Sequence, residues 1–95
     1  MSDGQVTTSV LLTHAAGLHA RPSLKLTMLA KTFAAKIELA VKPEGPWIDA
    51  KSIVKVMATR APKDSTIYFR AEGADARAAL EALVTLVDGD FQDGR

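Results

Sequence analysis

The sequence predicts an α+β domain in which a mostly antiparallel sheet carries helices on one face, in the order β-α-β-β-α-β-α. Residues 36–42 alternate cleanly. Ile37, Leu39 and Val41 fall to one side and Lys36, Glu38 and Lys42 to the other, the period of a half-buried strand. Residues 75–88 repeat instead at helical spacing, with Ala76, Ala79, Leu80, Leu83, Leu86 and Val87 on one stripe and Arg77, Glu81, Thr85 and Asp88 opposite. Shorter segments of both kinds precede them, and 95 residues have room for one core.

Val6 to Leu12, rich in β-branched residues, reads as a first strand ending at the turn His14-Ala15-Ala16-Gly17, with Val10 and Leu12 inward and Thr7, Ser9 and Leu11 outward. A helix is expected from about Ala20 to Phe33. Its core stripe is Leu26, Leu29, Ala30 and Phe33, which leaves Leu24 and Met28 nearly opposite, beside Thr27 and Lys31. After the alternating strand, Pro43-Glu44-Gly45-Pro46 makes a turn, because two prolines and a glycine cannot continue a central strand. Trp47 to Ala50 return as a short antiparallel strand, with Trp47 capping the hairpin. Ser52 to Ala58 form a short helix with Ser52 as its N-cap. Its apolar residues span too wide an arc for one buried stripe, so some of Ile53, Val54 and Met57 face solvent, ringed by Lys51, Lys55 and Arg60. Pro62-Lys63-Asp64 ends that segment. Ile67, Phe69 and Ala71 alternate with Thr66, Tyr68 and Arg70 in a fourth strand, Gly73 breaks it, and Asp75 caps the last helix. Phe91 to Arg95 are expected to form a loose tail.

Bulk properties narrow the function classes. Hydrophobic residues are 47%, charged residues 24% and the formal net charge +1, so nothing argues for an anionic membrane surface. The basic set Arg21, Lys25, Lys31, Lys51, Lys55, Arg60 and Lys63 is balanced by acidic residues and accompanied by few aromatics, which speaks against nucleic acid. With no cysteine there is no disulfide or thiolate metal site, in keeping with a reducing compartment. Neither a signal peptide nor an apolar run of membrane-spanning length is visible, so a cytoplasmic single domain over residues 1–95 is expected, its core about 6–90.

The chemistry concentrates in Gly17-Leu18-His19-Ala20-Arg21-Pro22-Ser23. Glycine permits an awkward turn, and proline is welcome in a first helical turn, where its missing N–H would have no partner. His19 therefore falls at the mouth of a helix, where free backbone N–H groups around Ala20 and Arg21 and the positive end of the dipole attract an anion. Arg21 adds a permanently charged guanidinium suited to phosphate oxygens. Histidine keeps a neutral, nucleophilic nitrogen near pH 7. A neutral imidazole beside an anion cradle is equipped to accept a phosphoryl group and pass it on, whereas an arbitrary loop histidine would have no role. His14, five residues earlier, raises a two-histidine metal site, but no third ligand stands nearby and Arg21 would repel a cation, so His14 reads as a surface residue and no metal is expected.

At Gly17-Leu18-His19-Ala20-Arg21-Pro22, and again at Ala50-Lys51-Ser52-Ile53 with Val56-Met57 and at Ala71-Glu72-Gly73, the chain resembles the HPr family, the histidine phosphocarriers of the bacterial phosphoenolpyruvate-dependent phosphotransferase system. The resemblance covers roughly residues 6–90. It implies an open-faced β-sandwich, a four-stranded antiparallel sheet with three helices on one face. His19 would take a phosphoryl group on Nδ1 from phospho-enzyme I and deliver it to an enzyme IIA domain, with Arg21 steadying the phosphate. Ser52 would match the serine that an HPr kinase/phosphorylase modifies in many members. The expected protein is a monomeric, stoichiometric carrier without cofactor rather than an enzyme. Leu24, Met28, Ile53, Val54 and Met57 would form its partner-docking surface. The alternative is a regulatory carrier in a nitrogen-linked chain, which acts by binding target proteins. Three departures from the family pattern bear on partner choice: Ala16 where many members have a polar residue, Arg60 where many have glycine after the second helix, and a longer loop at 43–46.

Overall fold

The computed structural model describes residues 5–91 and comprises β1 (Gln5–Leu11), α1 (Ala20–Lys31), β2 (Lys36–Ala40), β3 (Ile48–Asp49), α2 (Ile53–Ala58), β4 (Thr66–Glu72) and α3 (Ala76–Asp88). The order in the sheet is β1-β4-β2-β3, antiparallel throughout. The last strand in sequence thus lies in the middle, with Phe69 opposite Thr8 on one side and Leu39 on the other. That position explains why Ile67, Phe69 and Ala71 are all buried. They meet Val10, Ile37 and Leu39 beneath the helices. α3 lies on β1, β4 and β2, α2 against β3, and α1 against both other helices. Each fully buried Leu, Ile or Phe contributes roughly 1.5–3 kcal/mol. The fold is the open-faced sandwich with three helices on one face that the sequence predicts.

The helix-free face is closed at one end by the single tryptophan. The Trp47 indole packs so tightly on the preceding turn that a Cβ on Gly45 would lie 2.9 Å from its Cδ1. The Arg70 guanidinium stands 4.3 Å from the ring centroid. Its Nε also donates to Glu38 Oε1 at 2.7 Å across the β2–β4 pair. Trp47 is therefore a hairpin cap, as expected, and also the platform for a cation–π contact.

Three expectations need correction. Leu26 and Ala30 of the expected α1 stripe are buried, but Leu29 and Phe33 only pack against the edge of the core half-buried, and Pro22, Ser23 and Thr27 complete the buried face instead. Two hydroxyl residues can lie inward because Ser23 Oγ donates to Leu18 C=O at 3.1 Å and Thr27 Oγ1 to Leu24 C=O at 3.1 Å. A satisfied hydroxyl loses most of its burial penalty. Phe91 is no loose tail: it is 3% exposed and joins the core. Residues 92–95, the rest of that expected tail, lie outside the described residues. Asp75 does occupy the N-cap of α3, but its side chain makes no capping bond. Its carboxylate instead accepts the N–H groups of Ala34 at 2.9 Å and Ala35 at 2.8 Å, tying the start of α3 to the segment between α1 and β2.

The Ala34 N–H above all, with that of Ala35 and the Lys51 charge in support, holds the Asp75 carboxyl below its ordinary pKa of 3.8. A depressed folded-state pKa stabilises the native state above the unfolded pKa, and that contribution fades as pH falls through the lowered value. Asp75→Ala should therefore lower the urea midpoint clearly at neutral pH, with the gap to wild type narrowing below pH 3.8. A gap that stayed constant across that acid range would remove the carboxylate's role.

Candidate functional site

The His19 loop is sewn to the connection between α2 and β4. Beyond β1, Leu12 N–H donates to Ser65 C=O at 2.8 Å while Asp64 N–H donates to Leu12 C=O at 2.6 Å. The chain then turns, with Gly17 N–H on His14 C=O at 2.9 Å and Ala16 N–H on His14 Nδ1 at 3.2 Å. Gly17 adopts φ +66°, and a Cβ there would sit 2.3 Å from Ala61 C=O, so both torsion and space demand glycine. Leu18 follows, its N–H on Ala61 C=O at 2.9 Å and its side chain buried.

His19 comes next as the N-cap of α1, with extended backbone (φ −79°, ψ −171°). Its C=O accepts Ser23 N–H at 3.0 Å, and its side chain makes no capping bond. Pro22 has no N–H to offer. Within the described chain, that leaves the N–H groups of Ala20 and Arg21 without a hydrogen-bond partner, at the positive end of a helix of 12 residues. His19 and Arg21 are both exposed, and the Arg21 side chain has no partner among the described residues.

A shallow depression of about 570 Å³ opens beside the histidine, walled by Ala15, Ala16, Leu18, His19, Met57, Ala58, Arg60, Ala61, Pro62 and Lys63. Met57 is thus brought to the same hollow as His19, whereas Arg21 stands outside it, on the first turn of α1. Leu24 (47% exposed) and Met28 (60%) lie bare on α1, and Val54 (74%) and Met57 (39%) on the neighbouring α2, while Ile53 is half-buried. Ser52 caps α2, its Oγ accepting Lys55 N–H at 3.3 Å, and is half-buried. His14 is not the bare surface residue expected: it is half-buried, edge-on to Phe91 with ring centroids 5.6 Å apart. Phe91 C=O in turn accepts Lys25 Nζ at 2.9 Å, so the end of the described chain clasps both α1 and the loop before His19. Among the described residues, no group of three or more His, Cys, Asp or Glu side chains could hold a metal ion. Nor is any helix of the described residues long and apolar enough to cross a membrane.

Arg60 and Lys63 are the residues at this hollow that periodicity does not flag. Arg60 follows the C-cap of α2 with φ +52°, a left-handed conformation that commonly falls to glycine at a helix end. A helix running straight into an arginine and then Ala61-Pro62, with no glycine between, is the signal that exposes it.

The chain is thus a small open-faced sandwich with a bare histidine at a helix mouth. Residues 6–88 match the family model described as the PTS HPr component phosphorylation site, and the chain belongs to the HPr family of the bacterial phosphotransferase system. It is 40% identical over 78 residues to the phosphocarrier protein HPr of Cupriavidus necator, covering 82% of this chain and 85% of that one. Among solved structures it is similar to HPr-C-His from Thermoanaerobacter tengcongensis, with TM-score 0.84 and 27% identity over 95% of this chain and 99% of that one. It is also similar to HPr from Bacillus anthracis, with TM-score 0.79 and 35% identity over 87% of this chain and 96% of that one.

Proposed function

We propose that His19 is the phosphoryl-carrying residue, charged by phospho-enzyme I and discharged to an enzyme IIA domain of a sugar phosphotransferase system. The observation behind this reading is an exposed imidazole at the N-cap of α1 beside the two unpaired amides of Ala20 and Arg21. In the transfer, the Nδ1 lone pair attacks phosphorus while the donor's bond to phosphorus breaks. Charge on the equatorial oxygens is met by those amides, the helix dipole and the Arg21 guanidinium. Because the amides are already aimed, little reorganisation is needed as charge develops. The protein turns over no small molecule of its own. It is a monomeric, cytoplasmic substrate of two larger proteins, and it needs no cofactor for this step.

Leu24, Met28, Val54 and Met57, with Ile53 at the edge, form the docking surface in this reading. Met28→Asp should weaken binding to enzyme I by about tenfold or more while leaving the unfolding midpoint unchanged. If unfolding were the main result, Met28 would be a core residue and the surface would lose its basis. Ser52 is the position for a regulatory phosphate from an HPr kinase/phosphorylase. A dianion there would set negative charge among apolar docking residues and weaken enzyme I binding without unfolding the domain.

The deciding experiment incubates the protein with phosphoenolpyruvate, enzyme I and a panel of IIA proteins. The expected result is an acid-labile, alkali-stable phosphate on this chain that moves on to a sugar-specific IIA. Transfer only to a nitrogen-linked IIA would replace sugar uptake by the regulatory reading, and no incorporation at all would reject both.

A further inference from the structure

We infer that Arg60 is a second phosphoryl-binding cation, reaching the group on His19 from the hollow that Arg21 stands outside. The inference rests on the reading of His19 as the phosphorylated residue and adds to it a contact specific to this chain. A phosphoryl group on His19 presents three oxygens. The open amides and Arg21 address it from the first turn of α1. The hollow beside His19 has alanine and proline walls that carry no side-chain donor. Arg60 and Lys63 are the only lining residues with a cationic side chain. Lys63 already lies 3.9 Å from the Asp64 carboxylate, whereas the Arg60 side chain has no partner among the described residues.

The backbone at Arg60 is an independent observation. At φ +52° an L side chain is strained, and glycine would relieve that strain. The left-handed turn itself closes α2, with Arg60 N–H on Met57 C=O at 3.1 Å, and glycine would serve it as well, so the turn does not call for an exposed, unpaired guanidinium beside His19. Strain of this kind concentrates at functional sites. A guanidinium suits the place because its planar fork can meet two phosphoryl oxygens at once.

The test avoids partner proteins by charging His19 with phosphoramidate. The imidazole nitrogen attacks phosphorus, the P–N bond of phosphoramidate breaks, and the imidazole proton leaves with the departing ammonia. The phosphoryl group is then titrated by phosphorus NMR in wild type, Arg60→Gly, Arg60→Gln and Arg60→Lys. A nearby cation favours the dianion and lowers the titration midpoint. Both Arg60→Gly and Arg60→Gln should therefore raise it, by about 0.3 unit or more, and Arg60→Lys should restore most of the difference. Arg60→Gly should at the same time melt a few degrees higher than wild type, since the left-handed strain is gone. Stability and phosphoryl binding would then move in opposite directions, which a purely structural arginine would not produce. Identical titrations in all four proteins would overturn the role of Arg60 while leaving His19 in place. A wild-type protein that forms no phosphohistidine would overturn both.

Discussion

His19→Ala is expected to abolish phosphate incorporation from phosphoenolpyruvate and enzyme I, not merely slow it. No other side chain in the loop can replace the imidazole: His14, the one other histidine, has its Nδ1 engaged by Ala16 N–H and its ring edge-on to Phe91. The fold should be untouched, because His19 is exposed and its contribution to α1 comes from its backbone C=O, which alanine retains. A surface change of this kind shifts stability by about 0.5 kcal/mol or less. Acid-labile labelling at the wild-type level in the variant would reject the site outright.

Gly17→Ala should be the most disruptive conservative change in the site. Alanine at φ +66° costs roughly 1–2 kcal/mol in torsional strain alone. Its Cβ would also meet Ala61 C=O at 2.3 Å, the same carbonyl that accepts Leu18 N–H. Backbone on both sides must move, and losing that hydrogen bond adds about 1 kcal/mol. A total of about 2–4 kcal/mol is expected, read as a fall in the urea midpoint at unchanged slope. Phosphorylation of whatever protein remains folded should be slowed as well, since the same shift misplaces His19. A loss of stability under about 0.5 kcal/mol would mean the loop tolerates the displacement, and the argument for a rigidly held histidine would fail.

Period carried most of the fold. The alternation of Ile37 and Leu39 and the stripe from Ala76 to Val87 are visible because burial there follows one element's own geometry. The orientation of α1 escaped that logic. Counting apolar residues cannot show that Ser23 and Thr27 satisfy their hydroxyls on nearby carbonyls and so turn inward. The destination of the Asp75 carboxylate lies 40 and 41 residues away in sequence, beyond any local rule. Phe91 escapes for a related reason: a lone aromatic past a helix end has no period, and its place in the core, edge-on to His14, is fixed only in three dimensions. At the site, the helix-mouth histidine and its arginine were legible from residue type and spacing. Arg60 was legible only as an arginine where many relatives have glycine; its left-handed torsion and its place in the hollow with His19 are visible only in three dimensions.

The stacking of Trp47 on Arg70 supplies a natural optical probe. The lone indole sits with Arg70 on the face of the sheet away from the helices, and His19 stands at the mouth of α1, so the indole emission should follow loss of the β2–β3 edge while staying blind to what is attached to the imidazole. Unfolding curves for charged and uncharged protein, recorded separately, can therefore be compared on one and the same signal, without a label and without the phosphoryl group itself colouring it.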